Sequence, residues 1–321
     1  MVGVTGSVAP MDIRELADRP VGVVGLGCNN LGTRCDEAQS IGVVKAALDA
    51  GITLFDTADI YGRGRSEELL GRGLEGRRDD VVIATKFGGP MGEDPQMGGA
   101  SRRWIERAAE DSLRRLGTDR IDLYQLHFPD QSVPLEETLE ALHDLVRDGK
   151  VVAIGHSNFN GEQIDAAAEL AATRTLTPFR TAQNEFSLLR RRAEVEVIPA
   201  AQRHGLGFLP YFPLASGMLT GKYQRGAPVP EGSRLAGVPA ERAEKALSDK
   251  NFDRIERLTA FAEERGHTLL ELAFSWLLAQ PTVVSVIAGA TRPEQVEANV
   301  AAAGWQLTDA DLTEIDALAA A

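Results

Sequence analysis

Short apolar runs alternate along the chain with longer segments whose apolar residues return every three or four positions. Eight runs read as buried strands: Val21–Gly25, Thr53–Asp56, Val81–Thr85, Ile121–Leu126, Val151–Ile154, Thr181–Gln183, Leu206–Pro210 and Val283–Ala288. Between the first two, Asp36 precedes a helix with Ile41, Val44 and Leu48 on one face, and Gly51 ends it as the residue after the cap. The unit then repeats. Ser66 is expected to cap a helix to Gly76. Ser101 caps one to Gly117, with Ile105, Ala109, Ser112, Leu113 and Leu116 inward, and Leu135, Leu139, Leu142 and Val146 stripe a fourth ending at Gly149. Further helices are predicted at Glu162–Ala172, Arg192–His204, Asp249–Arg265 and Thr268–Ala279. Strands alternating with helices argue for a parallel sheet. Eight such units without a break in composition predict one α/β domain over residues 1–321, a (β/α)8 TIM barrel.

A rival pattern lies in the first unit. Gly25-Leu26-Gly27-Cys28-Asn29-Asn30 begins like a dinucleotide fingerprint, but the third glycine falls on Asn30 and the helix starts several residues late. Turn formation at a strand end is the simpler role for these glycines. Two insertions interrupt the repeat, Phe87–Ala100 and the Gly- and Pro-rich Phe212–Leu247. Both follow strands, so both are expected as long loops on the carboxyl-terminal rim, and loops of that length serve as lids or binding loops. The terminal Ala319-Ala320-Ala321 is expected to fray.

Composition narrows the class. A hydrophobic content of 43% over 321 residues supports a full core. A net charge of −13, from 34 basic and 47 acidic residues, disfavours a nucleic-acid or anionic-membrane partner. Met1–Pro10 lack the basic start and apolar core of a signal peptide and no run reaches membrane-spanning length, so a cytoplasmic protein is expected. Cys28 and Cys35, without C-x-x-C spacing, read as free thiols. His143, His156, His204 and His267 lack metal-ligand spacing, and no metal is expected.

The charged strand ends carry the chemistry. Asp56 closes the second run and Tyr61 the turn after it, while Lys86 and His127 close the third and fourth runs. A phenol with a pKa near ~10 is a weak acid at neutral pH unless its anion is stabilised. An ammonium at Lys86 stabilises that anion, Asp56 holds the ammonium, and His127 shares or positions the proton. A rim salt bridge, an interfacial aromatic and a satisfied histidine would explain each residue singly. Their recurrence at successive strand ends favours a shared site.

The segments Phe55-Asp56-Thr57-Ala58, Tyr61-Gly62, Ser66-Glu67, Thr85-Lys86 and Asp122-Leu123-Tyr124-Gln125-Leu126-His127 resemble the signatures of the aldo-keto reductase family, and the likeness covers nearly the whole chain. The resemblance implies a (β/α)8 barrel moving a hydride between NAD(P)H and a carbonyl carbon without a metal. It makes Asp56, Tyr61, Lys86 and His127 the catalytic tetrad, with Tyr61 protonating the carbonyl oxygen. Gly155-His156-Ser157-Asn158 resembles the family's Gly-x-Ser-Asn motif, so Ser157, Asn158 and Gln183 are expected to bind the nicotinamide carboxamide. In Tyr211-Phe212-Pro213-Leu214-Ala215-Ser216-Gly217, Tyr211 would stack on nicotinamide and the backbone from Pro213 through Leu214 and Ser216 to Gly217 would meet pyrophosphate, with Lys222 adding charge.

The last strand leads into Gly289-Ala290-Thr291-Arg292-Pro293-Glu294-Gln295, with Thr291 expected as N-cap of a short helix. The resemblance places the adenosine 2′-phosphate here, among Gly289, Thr291, Arg292, Gln295 and Asn299. Gly289 and Gln295 stand where many NADPH-binding members carry basic residues, and Arg292 can supply a guanidinium clamp instead. NADP(H) is therefore the expected cofactor, with NAD(H) as the alternative. Asn29, Asn30, Phe87, Phe128 and Phe212, just past strand ends, are candidate linings of a pocket for a carbonyl or alcohol substrate. Two other possibilities stay open. One is a cofactor-binding regulatory subunit, as in the family's potassium-channel β subunits, and the other is an unrelated barrel enzyme. No sequence feature fixes an oligomeric state.

Overall fold

The computed structural model describes residues 11–94 and 96–320. Met1–Pro10, Pro95 and Ala321 lie outside the described residues, and the expectation about a targeting signal falls there. Two short strands open the described chain, β1 (Ile13–Leu16) and β2 (Arg19–Gly22), paired antiparallel. Eight more follow: β3 (Val24–Gly27), β4 (Leu54–Asp56), β5 (Val82–Phe87), β6 (Ile121–Leu126), β7 (Val151–Ser157), β8 (Thr181–Glu185), β9 (Gly207–Tyr211) and β10 (Val286–Gly289). They form one parallel sheet in the order β10-β3-β4-β5-β6-β7-β8-β9. The sheet closes where the Phe208 amide donates to the Thr282 carbonyl (2.7 Å) and the Val284 amide to that of Phe208 (3.0 Å). The barrel expected from the strand count is the fold observed.

Helices α1 (Glu37–Asp49), α2 (Arg65–Gly73), α3 (Arg102–Leu116), α4 (Leu135–Arg147), α5 (Gly161–Arg174) and α6 (Val197–Arg203) connect successive strands. After β9 come α7 (Ala240–Ala246), α8 (Asp249–Glu264) and α9 (Leu269–Leu278), and after β10 come α10 (Pro293–Ala301) and α11 (Asp309–Ala320). Among the described residues no helix is long and apolar enough to cross a membrane.

Side-chain alternation along the strands divides the core in two. Leu54, Val82, Ala84, Leu123, Ala153, Leu209, Val284 and Ile287 fill the barrel, sealed from one end by Leu16 and Val21 of the β1–β2 hairpin. Phe55, Ile83, Phe87, Tyr124, Ile154, Ala182 and Phe208 face outward to the helices. The hairpin corrects the first predicted strand: Val21–Gly25 is two elements, because Val21 plugs the barrel and the sheet strand begins only at Val24.

Other expectations shift for local reasons. The inward face of α1 is Ser40, Val43, Val44 and Ala47 rather than Ile41, Val44 and Leu48, and the Ser40 hydroxyl accepts from the Gly32 amide (3.2 Å) while donating to Asp36 (2.6 Å). Asp36 is its N-cap, as expected. Ser66 does not cap α2. Gly64, at φ 90°, precedes the helix, and the buried Ser66 hydroxyl donates to the Cys28 carbonyl (2.8 Å). On α4 Leu145 rather than Val146 is buried. The predicted Arg192–His204 helix is a short 3-10 turn followed by α6, whose start places Pro199 in the first turn, where its missing N–H costs nothing. Of the three terminal alanines expected to fray, Ala321 lies outside the described residues, while α11 runs to Ala320 with Ile315 and Ala319 buried.

Candidate active site

Strand alternation sets the site as well as the core. Along β5, Val82 and Ala84 point into the barrel, so Lys86 follows them inward at the carboxyl end, and the same parity carries Gln125 on β6 and Gln183 on β8. Inside, the Lys86 ammonium donates to Asp56 Oδ2 (2.6 Å) and to the Thr57 carbonyl (2.8 Å). Its remaining proton is left for the side of Tyr61, whose ring centroid lies 5.2 Å away. Gln183 and Gln125 donate to Asp56 Oδ1 at 2.9 and 3.2 Å, so both carboxylate oxygens are held. Gly155 makes room for these amides, since a Cβ there would meet Thr181 Oγ1 at 2.0 Å and Gln125 Cγ at 3.2 Å.

Tyr61 is presented by a rigid turn. The Thr57 hydroxyl and that of Ser66 lie 2.8 Å apart, and the Asp59 amide donates to the Lys86 carbonyl (3.0 Å). Burial raises the Tyr61 pKa above the usual phenol value, Lys86 works against it by charge and hydrogen bonding, and burial wins. Tyr61 is therefore a neutral phenol at physiological pH. Burial would lower Lys86, but Asp56 and Tyr61 outweigh it, and its pKa is raised. His127, buried 5.8 Å from Tyr61 between ring centroids, is pushed down to about 3 by burial and by Lys86. It is neutral, which fits a hydrogen-bonding role. Its Nδ1 has no partner in the protein.

Asp59, which the sequence did not single out, lies behind this set with both carboxylate oxygens unpaired, and burial beside Glu67 lifts its pKa to about 8. With His127 and His156, each near 3, it shapes the pH response of stability between about pH 5 and 8. Below an unfolded histidine pKa of about 6.5 the unfolded chain gains two protons that the folded chain refuses, and stability falls as pH drops. Asp59 runs the other way. It keeps its proton when folded up to about pH 8 but loses it near ~3.9 when unfolded, so stability also falls as pH rises toward 8. One net proton remains on each side. Urea unfolding should show a maximum near about pH 6.5 with slopes of about 1.4 kcal/mol per pH unit. Asp59→Asn should flatten the alkaline limb and steepen the acid one. A wild-type profile level from pH 6.5 to 8 would contradict the burial of a protonated Asp59.

The remaining rim residues converge beside the tetrad. The Ser157 hydroxyl donates to the Gln183 carbonyl (2.8 Å), Asn158 Nδ2 to the His127 carbonyl (2.9 Å), and the Tyr211 hydroxyl to Asn158 Oδ1 (2.8 Å). Asn158 itself sits at φ 63°. The backbone past β9 then turns left-handed at Phe212 (φ 50°) and, after Pro213 and Leu214, at Ala215, Ser216 and Gly217 (46°, 61° and 91°), which open an irregular 3-10 turn over Ala215–Thr220. A turn of this kind can turn backbone N–H groups toward one concavity, a cradle suited to an anion. Lys222 closes over it: a Cβ on Gly217 would meet the Lys222 ammonium at 2.6 Å. The Ala215 and Gly217 amides are engaged by the Phe212 and Leu214 carbonyls, so they brace the cradle. Tyr223 pins the long loop across it, donating to the Ser216 carbonyl (3.3 Å) and accepting from the Leu235 amide (3.2 Å).

At the far end Thr291 is not the N-cap. Arg292 precedes α10, Pro293 is its first residue, and Gln295 Oε1 takes the Thr291 amide (2.8 Å) and hydroxyl (3.1 Å). Gln295 thus closes the helix start itself, while Arg292 and Gly289 stay exposed and Asn299 is buried. The donor set fits a dinucleotide: amides at Asn158 and Gln183, an aromatic ring at Tyr211, an anion cradle with Lys222, and an exposed guanidinium at Arg292.

Two pocket expectations are corrected. Phe87 is fully buried against Tyr124 (4.7 Å), because one residue past the inward Lys86 faces the helices. Asn30 is buried and donates to the Ala290 carbonyl (3.1 Å), joining β3 to β10 instead of facing substrate. Asn29 lies beside Gly289. Phe128 is 44% exposed and stacked on His127 at 4.4 Å, beside the tetrad, while Phe212 meets Tyr211 edge-on at 5.4 Å. Sequence reasoning missed Arg234, whose guanidinium lies 4.7 Å over the Phe212 ring, and Arg34, which donates to the Gly232 carbonyl (2.5 Å) and ties the long loop to the turn after β3. No local pattern reveals them, since the first contact folds the long loop back on itself and the second joins segments far apart in the chain.

Residues 23–320 match the model of the Aldo/keto reductase family. The chain is 36% identical to aldo-keto reductase YhdN of Bacillus subtilis, over 96% of this chain and 93% of that one. It is 37% identical to a probable voltage-gated potassium channel subunit beta of Arabidopsis thaliana, over 84% of each. Among solved structures a glycerol dehydrogenase from Gluconobacter oxydans superposes with a TM-score of 0.84 at 33% identity, covering 96% of this chain and 95% of that one.

Proposed function

Since the chain belongs to the aldo/keto reductase family, oxidoreductases of carbonyl substrates, we propose that it is an NADPH-preferring reductase of aldehydes, ketones or sugars, with the reverse oxidation of the alcohol open to the same residues. The observation that carries this is the fully buried Lys86, paired to Asp56 at 2.6 Å and set against Tyr61 at the barrel rim. A barrel needs no ion pair in its interior for folding, so the pair serves the phenol beside it.

Bound nicotinamide dinucleotide supplies or accepts the hydride at the substrate carbon. Ser157, Asn158 and Gln183 would hold its carboxamide and Tyr211 its ring. The Pro213–Gly217 cradle with Lys222 would hold the pyrophosphate, and Gly289, Thr291, Arg292, Gln295 and Asn299 the adenosine end. Tyr61 hydrogen-bonds the carbonyl oxygen and gives it the phenolic proton, while neutral His127 fixes the direction of approach. Lys86 stabilises the phenolate left behind, and Asp56, held by two glutamine amides, keeps Lys86 charged. Phe128 and Phe212 give the substrate two apolar walls.

A nicotinamide-absorbance screen with NADPH and NADH against aldehydes, ketones and sugars tests the proposal, and binding of the nucleotides without turnover of any carbonyl would overturn it. That result would favour a cofactor-binding regulatory subunit, the reading that the likeness to the potassium-channel subunit supports. Arg292→Ala should raise the KM for NADPH about tenfold to a hundredfold, the size of a charged hydrogen bond, and leave that for NADH within about twofold. Equal effects on both would place the 2′-phosphate elsewhere.

A further inference from the structure

Arg234 stands in the long loop after β9 without an acid to pair with. The chain has acids to spare, 47 against 34 basic residues, and earlier in the same loop Arg225 is paired with Asp249, Asp253 and Glu256. Arg234 instead is partly buried, with its guanidinium 4.7 Å over the Phe212 ring. Burial disfavours its charge most, Arg34 and Arg242 add to that, and Tyr61 and Tyr223 would favour it only as phenolates. None of these is a carboxylate. Its nitrogens have no hydrogen-bond partner among the described residues, yet none is wholly buried, unlike Nε of Arg254 and of Arg257, so they open onto solvent. A partly desolvated guanidinium near two further cations is costly alone, and an anion seated among them would offset that cost.

The position of Arg234 indicates which anion. Tyr211 is bonded to Asn158, Phe212 meets Tyr211 edge-on, and the guanidinium lies over Phe212, so it continues a row that begins at the nicotinamide end of the rim. Its field reaches Tyr61. Arg34 ties Gly232 to the turn after β3 (2.5 Å), which fixes this part of the loop in place. The phosphates of the dinucleotide have other cations, Lys222 beside the cradle and Arg292 ahead of α10.

We propose that Arg234, with Arg34 and Arg242 nearby, binds an anionic group of the substrate, so that the rim selects short aldehydes or ketones carrying a carboxylate or a phosphate ester. The proposal rests on the reductase reading of the same rim. Tyr61 protonates the carbonyl oxygen at one end of the molecule while the planar fork of Arg234 holds the anion at the other. Holding both ends orients the reacting carbon, so the recognition of charge falls on kcat/KM.

Steady-state reduction at low, fixed ionic strength tests this by comparing 4-oxobutanoate with its methyl ester, and glycolaldehyde phosphate with glycolaldehyde. Wild type should favour the charged member of at least one pair by about tenfold to a hundredfold in kcat/KM, the worth of a charge-assisted hydrogen bond, and the pair that shows it tells carboxylate from phosphate. Arg234→Met, which keeps the stem and removes the charge, should bring that ratio to about one, and Arg234→Lys should restore part of it. Titration calorimetry of the NADP+-loaded protein with butanoate and with ethyl phosphate reads the same site without turnover, and binding should weaken about tenfold or more in Arg234→Met. If no carbonyl is reduced at all, the reductase reading fails, and the calorimetry then decides the anion site: binding lost in Arg234→Met upholds it and absent binding overturns it. No preference for either charged aldehyde in an active enzyme, or a preference that survives Arg234→Met, overturns the proposal. A loss in Arg234→Met that appears as a higher KM for NADPH with every substrate gives the guanidinium to the cofactor and likewise overturns it.

Discussion

Tyr61→Phe is expected to lower carbonyl turnover by roughly a hundredfold to ten-thousandfold, the usual worth of a positioned general acid, with cofactor affinity unchanged within about twofold. The substitution removes one hydroxyl from a half-buried ring and leaves the turn that presents it intact, because that turn is held by Thr57, Ser66 and the Asp59 amide. The loss should therefore fall on kcat, since the hydroxyl acts in the transition state more than in substrate binding. The pH profile adds a second readout. Burial holds the Tyr61 pKa above its usual value, so reduction should be level across neutral pH and decline only as the phenol ionises, while the reverse oxidation should rise toward alkaline pH. Single-turnover absorbance with saturating cofactor measures the first effect and steady-state profiles the second. Unaltered turnover in Tyr61→Phe would remove Tyr61 from the chemistry. A wild type as slow as the variant would point to the regulatory reading instead.

The strand-end residues were legible from sequence because two signals coincide at them. A buried strand leaves a charged residue few places to stand, and parity fixes its direction, so Asp56 and Lys86 could be read from their positions, whereas Gln183 entered only through the family resemblance. The same parity, applied one residue further, would have excluded Phe87 from the pocket and drawn attention to Gln125. Other features depend on contacts that no local pattern records. The β1–β2 hairpin has no apolar alternation of its own and is defined by what it plugs. Ser66 carries the right chemistry for a cap but is drawn inward by Cys28 and Thr57, leaving Gly64 to start the helix. At Thr291 the sequence offers two capping groups within four residues, and the longer Gln295 side chain reaches the amide.

The Asp56–Lys86 pair gives the strongest expected effect on stability. Lys86→Met leaves the Asp56 carboxylate buried with only the Gln125 and Gln183 amides, and Asp56→Asn leaves a buried ammonium without its counter-ion. Each should cost about 3–5 kcal/mol, a large part of the ~5–15 kcal/mol that holds a typical domain together. The double variant is expected to regain most of that loss, because replacing both members of a buried pair removes the desolvation cost along with the attraction. Turnover should stay abolished in all three proteins. Urea unfolding of the four chains near pH 6.5, with activity measured on the same samples, closes the cycle and isolates the coupling. If the double variant is as unstable as the two losses added, the charges are not coupled and the pair cannot be what keeps Lys86 ionised beside Tyr61. If it regains stability without activity, the barrel folds without the pair, and what the buried charges serve is the proton on Tyr61.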